Sequence, residues 1–237
     1  MPPMMAESAI IRNYLDWVFD IPWTEESKDN LDLEKTKQTA GMSTAADVLE
    51  KENFDTLSYD FFEGEQLAAF QTAVNKCRDF ARSFSRLGSN LFFYGTVGTG
   101  KTFLSNCIAR ESIESGHSVI YFSASSLFDT LSRNAFDYKN QESLDYLYND
   151  LYNCDLLVID DLGTEQSTPF TLSHLFTCLN ERLIRRKSMI ISTNLSLPEL
   201  KERYQDRIFS RITSNFEFCK LTGPDIRMCK KRLTNRK

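Results

Sequence analysis

A short glycine-rich stretch at residues 90–102, NLFFYGTVGTGKT, limits most strongly what this chain can fold into. It has the pattern of a buried strand, a loop and the first turn of a helix, with the spacing G-x-x-x-x-G-K-[ST]. Glycines let successive backbone N–H groups converge on phosphate oxygens, and the helix N-terminus adds a positive end. We therefore predict a phosphate-binding loop made of Gly95, Thr96, Val97, Gly98, Thr99, Gly100, Lys101, Thr102 and Phe103.

Two side chains of this loop suit a nucleotide triphosphate and its metal. Lys101 can reach the β- and γ-phosphates of ATP, and the Thr102 hydroxyl can ligate Mg²⁺. The alternative is a glycine-rich turn that only joins a strand to a helix. The strand pattern before the loop and the helix pattern after it favour the binding loop, so ATP and Mg²⁺ are the predicted cofactors.

A second motif, DLLVIDDLG at residues 155–163, places two carboxylates after a short apolar run. Leu156–Ile159 is typical of a central parallel strand, and ligands bind at the carboxyl ends of such strands. We expect Asp160 to hold Mg²⁺ and Asp161 to orient or deprotonate the attacking water. Aspartate is one methylene shorter than the glutamate common at the second position, which predicts slow or partner-stimulated ATP hydrolysis. An ordinary Asp-Asp turn is the alternative.

Two further candidates lie downstream of these motifs. Asn194 follows the predicted strand Ser188–Ser192, where an amide can contact the γ-phosphate or the attacking water. Its alternative role is to cap the helix that begins near Leu197. Arg227 lies in the first turn of a last predicted helix, from which it can reach the γ-phosphate of its own subunit, and a surface arginine is the alternative.

The segment YQDRIFSRI, residues 204–212, places Arg207 and Arg211 on one helical face. A guanidinium on that face can act as an arginine finger in the phosphate site of a neighbouring subunit. We assign this role to Arg211, with Arg207 supporting it. The alternative is intramolecular pairing with Glu202 or Asp206.

The order of these patterns predicts an α/β fold, a three-layer α/β/α P-loop NTPase with a central five-stranded parallel sheet. We divide the chain into an acidic N-terminal segment, 1–50, with an amphipathic helix at 7–21, and an ATPase domain, 51–237. The other expected elements are helices Gln66–Phe84, Lys101–Ser115, Ser126–Arg133, Gln141–Tyr152 and Leu172–Arg186, and strands Leu91–Tyr94, Ser118–Phe122 and Phe216–Leu221.

Composition excludes several classes of protein. The apolar runs are too short to span a membrane and no signal segment opens the chain, so we expect a cytoplasmic protein. The six cysteines form no C-x-x-C pair and are expected to be reduced and buried. Residues 1–65 carry 15 acidic and 5 basic residues, whereas residues 66–237 carry 18 and 23. The acidic N-terminal region argues against a DNA-binding arm at that end of the chain. The net positive charge of residues 66–237 permits an anionic partner.

Aromatic and basic residues interleave between residues 136 and 148. They can stack on bases and contact phosphates, which makes single-stranded DNA a candidate ligand. The same pattern also fits a packed pair of helices. The candidate residues are Phe136, Tyr138, Lys139, Tyr146 and Tyr148.

Residues about 52–233 resemble the ATPase domain of DnaC/DnaI-type bacterial helicase loaders, a branch of the AAA+ ATPases. The resemblance rests on GTVGTGKTFLSNCIA, LLVIDDLGTE, IISTNLS, ERYQDRIFSRI and GPDIR, in this order. It implies a protein that binds ATP and Mg²⁺, self-associates through its ATP site, engages the hexameric DnaB-type replicative helicase and helps to place it on single-stranded DNA.

The front of the chain departs from that family. Such loaders carry a separate helicase-binding domain, whereas residues 7–37 resemble the segment just ahead of the ATPase module in Lon proteases. No Ser–Lys proteolytic dyad accompanies the Lon-like segment, which indicates a fused or recombined reading frame. ATP binding is therefore expected to be retained, while docking to a helicase is open.

Two other functions fit the same motifs. An IstB-like transposition helper ATPase would share the site and have a transposase as its partner. A non-catalytic adaptor would bind nucleotide without turnover. The intact Lys101, Asp160, Asp161 and Asn194 favour an ATPase over the adaptor.

Overall fold

The computed structural model describes residues 48, 51–136 and 141–229, apart from the side chains of residues 85–87, 136 and 141–144. The predicted helix at 7–21 and the Lon-like segment lie outside these residues. The helices are α1 (Gly64–Leu87), α2 (Lys101–Glu114), α3 (Ala124–Phe136), α4 (Gln141–Asn153), α5 (Pro169–Ile184) and α6 (Leu197–Asn215). The strands are β1 (Leu91–Gly95), β2 (Val119–Ser123), β3 (Leu156–Leu162), β4 (Ser188–Thr193) and β5 (Glu217–Leu221).

The five strands form one parallel sheet in the order β2-β3-β4-β1-β5. This confirms the predicted sheet. The strand β1 pairs with β4 on one side and β5 on the other, and β4 also pairs with β3. The carboxyl ends of β1, β3 and β4 therefore lie side by side, and the loops that follow them meet at one edge of the sheet.

Helices cover both faces of the sheet and make three layers. On one face α1 and α2 pack against side chains such as Phe93 and Val158. On the other face α3, α4, α5 and α6 pack against the alternating residues, for example Phe92 and Ile159. The alternation follows from the period of two along a strand, and strands buried on both faces account for the continuous apolar runs.

Local capping fixes where α5 and α6 begin. Thr168 accepts a hydrogen bond from the Thr171 N–H and Pro169 occupies the first helical position, so α5 starts three residues earlier than the predicted Leu172. Ser196 caps α6 and forms a capping box with Glu199. The N-cap of α6 is therefore Ser196, and the alternative that Asn194 caps this helix is wrong.

The helix α6 is interrupted at Gln205, whose φ of 62° and ψ of 169° are non-helical. Such a conformation is close to a glycine-only region of backbone space, so a side chain there is strained. The interruption divides α6 into a first part that ends at Tyr204 and a second part that carries Arg207 and Arg211.

One arginine is wholly buried between α4, α5 and the start of β4. Arg182 has 0% exposure and donates to the carbonyl oxygens of Leu151 (2.5 Å), Cys154 (3.1 Å) and Ser188 (2.6 Å). Two of these carbonyls belong to the carboxyl end of α4 and the residue after it, where a cation also meets the negative end of the helix. Arg182 therefore ties the helical layer to the sheet.

Candidate functional site

The glycine-rich loop joins β1 to α2 through glycines in the left-handed half of backbone space. Gly98 has a φ of 77° and Gly100 a φ of 96°. A Cβ on Gly98 would overlap the Asp225 carboxylate of the C-terminal segment, and the Ile226 N–H donates to the Gly98 carbonyl at 2.9 Å. The loop is therefore held between its own helix and residues 225–226.

Replacing Gly98 with alanine should weaken ATP binding severalfold, because the positive φ strains the loop backbone and the new methyl group must also displace the Asp225 carboxylate. Gly116→Ala is the matched control, since Gly116 also has a positive φ, of 83°, but has open space around its Cα. Both variants incur backbone strain of about 1 kcal/mol. Equal ATP affinities of the two variants, measured by fluorescent nucleotide titration, would contradict the steric explanation.

Lys101 is the cation of the site. Its side chain is only 5% exposed as a residue, and its Nζ donates to the carbonyl oxygens of Gly95 at 2.9 Å and Thr96 at 2.7 Å. Burial lowers the pKa of Lys101, while the carboxylates of Asp161 and Asp160 oppose that shift. The ammonium therefore lies within the loop and within electrostatic reach of both predicted carboxylates.

Asp160 is buried near the end of β3, and hydroxyl groups surround its carboxylate. Its Oδ1 accepts a hydrogen bond from the Ser192 hydroxyl, and the hydroxyls of Thr102 and Tyr121 lie close enough to act on its pKa. Burial raises the pKa of Asp160, and these neighbouring hydroxyls oppose the increase. A buried carboxylate close to the Thr102 hydroxyl is an oxygen donor set suited to Mg²⁺, so the residues present fit the predicted metal.

Asp161 is held in an unusual backbone conformation, with a φ of 53°. Its N–H donates to the Ser192 hydroxyl at 2.9 Å, and its Oδ1 accepts from Asn194 Nδ2 at 3.2 Å. Ser192 on β4 thus holds both carboxylate residues. The sequence motifs did not identify it, although a serine directly after the apolar run Met189–Ile191 was the available signal.

A cavity of about 210 Å³ opens beside the loop. The residues that line it include Lys101, Thr102, Asp161, Asn194 and Arg227. Arg227 is close enough to lower the pKa of Lys101, although burial has the larger effect. The structure therefore places the phosphate loop, Asp161, Asn194 and Arg227 around one cavity.

Residues 52–61, which contain none of the predicted site residues, also contribute to the wall of the cavity. Thr56, Leu57, Ser58 and Phe61 line it together with Phe70 of α1. Asn106 of α2 anchors the start of this segment through a 2.6 Å hydrogen bond to Glu52. The aromatic and acidic composition of the run FDTLSYDFFEGEQ distinguishes it from the polar sequence before it. Only the packing shows that this run lies beside the phosphate loop.

Arg207 and Arg211 do not line this cavity. Arg211 is exposed, its Nε donates to Asn180 Oδ1 at 2.7 Å, and its guanidinium lies 5.9 Å from the ring centre of Phe176. Arg207 is also exposed. Asp206, one of the expected partners, pairs instead with Lys201 at 3.3 Å. The assignment of Arg207 and Arg211 to the ATP site of a neighbouring subunit stays a prediction.

The candidate DNA-contacting residues divide into two kinds. Tyr148 hydrogen-bonds to His174 Nδ1 at 2.8 Å and stacks on Tyr152, so it belongs to a packed helix pair. Tyr146 is 61% exposed and is free to contact a ligand. Tyr138 and Lys139 lie outside the described residues, as does the side chain of Phe136.

The parallel sheet order, the glycine loop and the paired carboxylates define an ATP-binding P-loop protein of the AAA+ type. Within that class, the chain belongs to the family of IstB-like ATP binding proteins, whose sequence profile matches residues 27–233.

Individual relatives match smaller parts of the chain. A Lon protease of Roseiflexus castenholzii is 37% identical over 111 residues, which are 46% of this chain and 12% of that protein. The replicative helicase loader DnaC of Escherichia coli K12 is 27% identical over 141 residues, which are 59% of this chain and 56% of that protein. The chain thus spans about a tenth of the Lon protease and just over half of DnaC.

A solved structure of the DnaC helicase loader has the same fold. It superposes with a TM-score of 0.63 at 24% identity, and the match covers 73% of this chain and 98% of that one. The expected DnaC-like AAA+ fold is confirmed, and the similarity to Lon protease extends over more residues than the predicted segment 7–37. Across the described residues, no helix is long and apolar enough to cross a membrane.

Proposed function

We propose that this protein binds ATP with Mg²⁺, hydrolyses it slowly, and uses it as an assembly switch in DNA replication. The observation that carries this proposal is the convergence of Lys101, Asp160, Asp161 and Asn194 at the carboxyl edge of one parallel sheet. Each of these groups has a distinct part in phosphoryl transfer, and a merely structural nucleotide site does not require the last two.

The roles follow from the contacts. Lys101 neutralises the phosphates, while Thr102 and Asp160 would hold Mg²⁺, which draws charge from the phosphate oxygens when bound. Asp161 accepts a proton from, or orients, the attacking water, and Asn194 fixes the Asp161 carboxylate through its 3.2 Å hydrogen bond. Arg227 adds positive charge from the same subunit. A shorter carboxylate at position 161 supports a slow basal rate.

We assign the partners from similarity to DnaC and from the exposed residues. The DnaC relative is a replicative helicase loader, so a hexameric replicative helicase is the proposed partner, in the cytoplasm. Arg211, supported by Arg207, is exposed and suited to complete the ATP site of a second copy. Tyr146 is the exposed aromatic proposed to stack on single-stranded DNA.

Lys101→Ala should abolish an ATP-dependent complex with the cognate replicative helicase. Loss of a buried charge-assisted contact to phosphate costs about 1.5–3 kcal/mol, which weakens ATP binding roughly 10- to 150-fold. The measurement is a pull-down of the helicase with ATP and Mg²⁺, together with ATP titration of each variant. Lys220→Ala, which removes an exposed lysine on β5, is the control.

Each result of that pull-down has a definite meaning. A complex that requires ATP and Lys101 supports a helicase loader. A chain that binds ATP but captures no helicase contradicts the loader and leaves the ATP site intact. Wild-type affinity for ATP in Lys101→Ala would contradict the nucleotide site itself.

A transposition helper is the second candidate, because the matching family takes its name from IstB. It would use the same ATP site and differ only in its partner. The same pull-down with a transposase as bait separates the two, since only one of the two baits should be retained in an ATP-dependent manner. The gene neighbourhood, with a transposase or a replication gene beside it, is a second discriminator.

A further inference from the structure

A buried glutamate lies in the turn that follows the paired carboxylates. The Glu165 side chain is 2% exposed, and its Oε2 accepts a hydrogen bond from the Gly163 N–H at 2.8 Å. Its Oε1 accepts from the Tyr204 hydroxyl and lies 3.7 Å from Arg203 Nε. A carboxylate is costly to remove from water, and here it is matched by three donors or charges from two different parts of the fold.

The first of these parts is the turn that begins at Asp161. The Asp161 carbonyl accepts from the Thr164 N–H at 3.2 Å and from the Thr164 hydroxyl at 2.9 Å. Glu165 closes the same turn from its other end through Gly163. Asp161 itself has a φ of 53°, in the left-handed region that residues other than glycine adopt uncommonly. The backbone of the turn that carries Asp161 is therefore held by the hydrogen bonds of Thr164 to the Asp161 carbonyl and of Gly163 to Glu165.

The second part is the point at which α6 is interrupted. Tyr204 and Arg203 are the last residues before Gln205, and the Arg203 guanidinium also donates to the Glu165 carbonyl. Tyr204 is buried, and burial together with the bond to Glu165 raises the pKa of its hydroxyl, which keeps it a donor. The segment directly beyond the interruption carries the exposed Arg207 and Arg211.

We propose that Glu165 is a positioning residue for Asp161, and that its bond to Tyr204 connects the hydrolytic carboxylate to the end of the first part of α6, directly before the part that carries Arg207 and Arg211. Glu165 does not line the nucleotide cavity and so acts on the rate of hydrolysis through Asp161, with little effect on ATP affinity. This inference rests on the ATP hydrolysis proposed above.

The test compares Glu165→Gln and Tyr204→Phe with the wild-type chain. Glutamine has one acceptor oxygen where the carboxylate has two, and phenylalanine removes only the hydroxyl. A small displacement of a catalytic group is enough to lower a rate about 10²-fold, so we expect kcat to fall at least tenfold in Glu165→Gln and severalfold in Tyr204→Phe. ATP affinity, measured by fluorescent nucleotide titration, should stay within twofold. Glu181→Gln, which breaks a surface pair with Arg185, is the control.

A double-mutant cycle separates positioning from a structural role. In the Asp161→Asn background, adding Glu165→Gln should lower the residual rate no further, because Glu165 acts through Asp161. The proposal would be overturned if the two substitutions lowered the rate multiplicatively in the double variant. It would also be overturned if Glu165→Gln lowered ATP affinity and thermal stability in parallel with kcat. Wild-type kcat in both single variants would overturn it too. If the wild-type chain binds ATP but does not hydrolyse it, the proposed ATP hydrolysis is contradicted as well. If the wild type and both variants hydrolyse ATP at the same rate, only the role of Glu165 is contradicted.

Discussion

Replacing Asp161 with asparagine should leave ATP bound and lower its hydrolysis by roughly 10²- to 10⁴-fold, the range of general base catalysis. The asparagine amide is nearly isosteric and can still meet Asn194, so the architecture of the turn is kept. It cannot accept a proton from water at neutral pH. Because Lys101 and Asp160 are unchanged, the phosphate and metal contacts should be retained and ATP affinity should change little.

The measurement is phosphate release under saturating ATP, with excess protein if the basal rate is slow, beside an ATP titration. Asp129→Asn, an exposed aspartate on α3, is the matched control and should keep the wild-type rate. An unchanged rate in Asp161→Asn would remove the proposed role of this carboxylate. A wild-type chain with ATP affinity and no turnover under any condition would instead match a non-catalytic adaptor.

Replacing Arg182 with methionine should lower the free energy of unfolding by about 3 kcal/mol. The substitution leaves the carbonyls of Leu151, Cys154 and Ser188 without their donor, and each buried, unsatisfied acceptor costs about 1–3 kcal/mol. Part of this loss is offset, because methionine carries no charge to bury. Methionine retains the unbranched, apolar stem, so the loss comes mainly from the missing hydrogen bonds.

Urea unfolding followed by circular dichroism measures this change. Arg186→Met is the matched control, since Arg186 is exposed four residues farther on, and its effect should stay within about 0.5 kcal/mol. A loss below about 1 kcal/mol in Arg182→Met would show that the three carbonyls find other donors. Arg182 was not predicted as a core residue, although it follows Leu175, Cys178 and Leu179 at the spacing of one buried helical face.

Most of the candidate nucleotide site could be predicted because each of its motifs is a short run of neighbouring residues. The spacing from Gly95 to Thr102 specifies a loop whose backbone converges on one point, and the apolar run before Asp160 places a carboxylate at a strand end. The helix start at Leu197 was predicted correctly, while its cap, Ser196, received no prediction and Asn194 was considered as a cap only in the alternative. Asn194 and Ser196 are both good N-cap residues, and only the position of Asp161 shows that Asn194 is engaged elsewhere.

By itself the sequence determined the class of fold, the parallel sheet and the phosphate loop, because apolar periodicity and glycine spacing are local properties of the chain. Tertiary structure alone decided which distant residues complete the site. Ser192 meets Asp160 and Asp161 because β3 and β4 are neighbours, and Glu165 meets Tyr204 because α6 folds back over the turn. Such contacts depend on strand order and helix packing, which arise from the burial of the whole core and leave no periodic trace in the residues that form them.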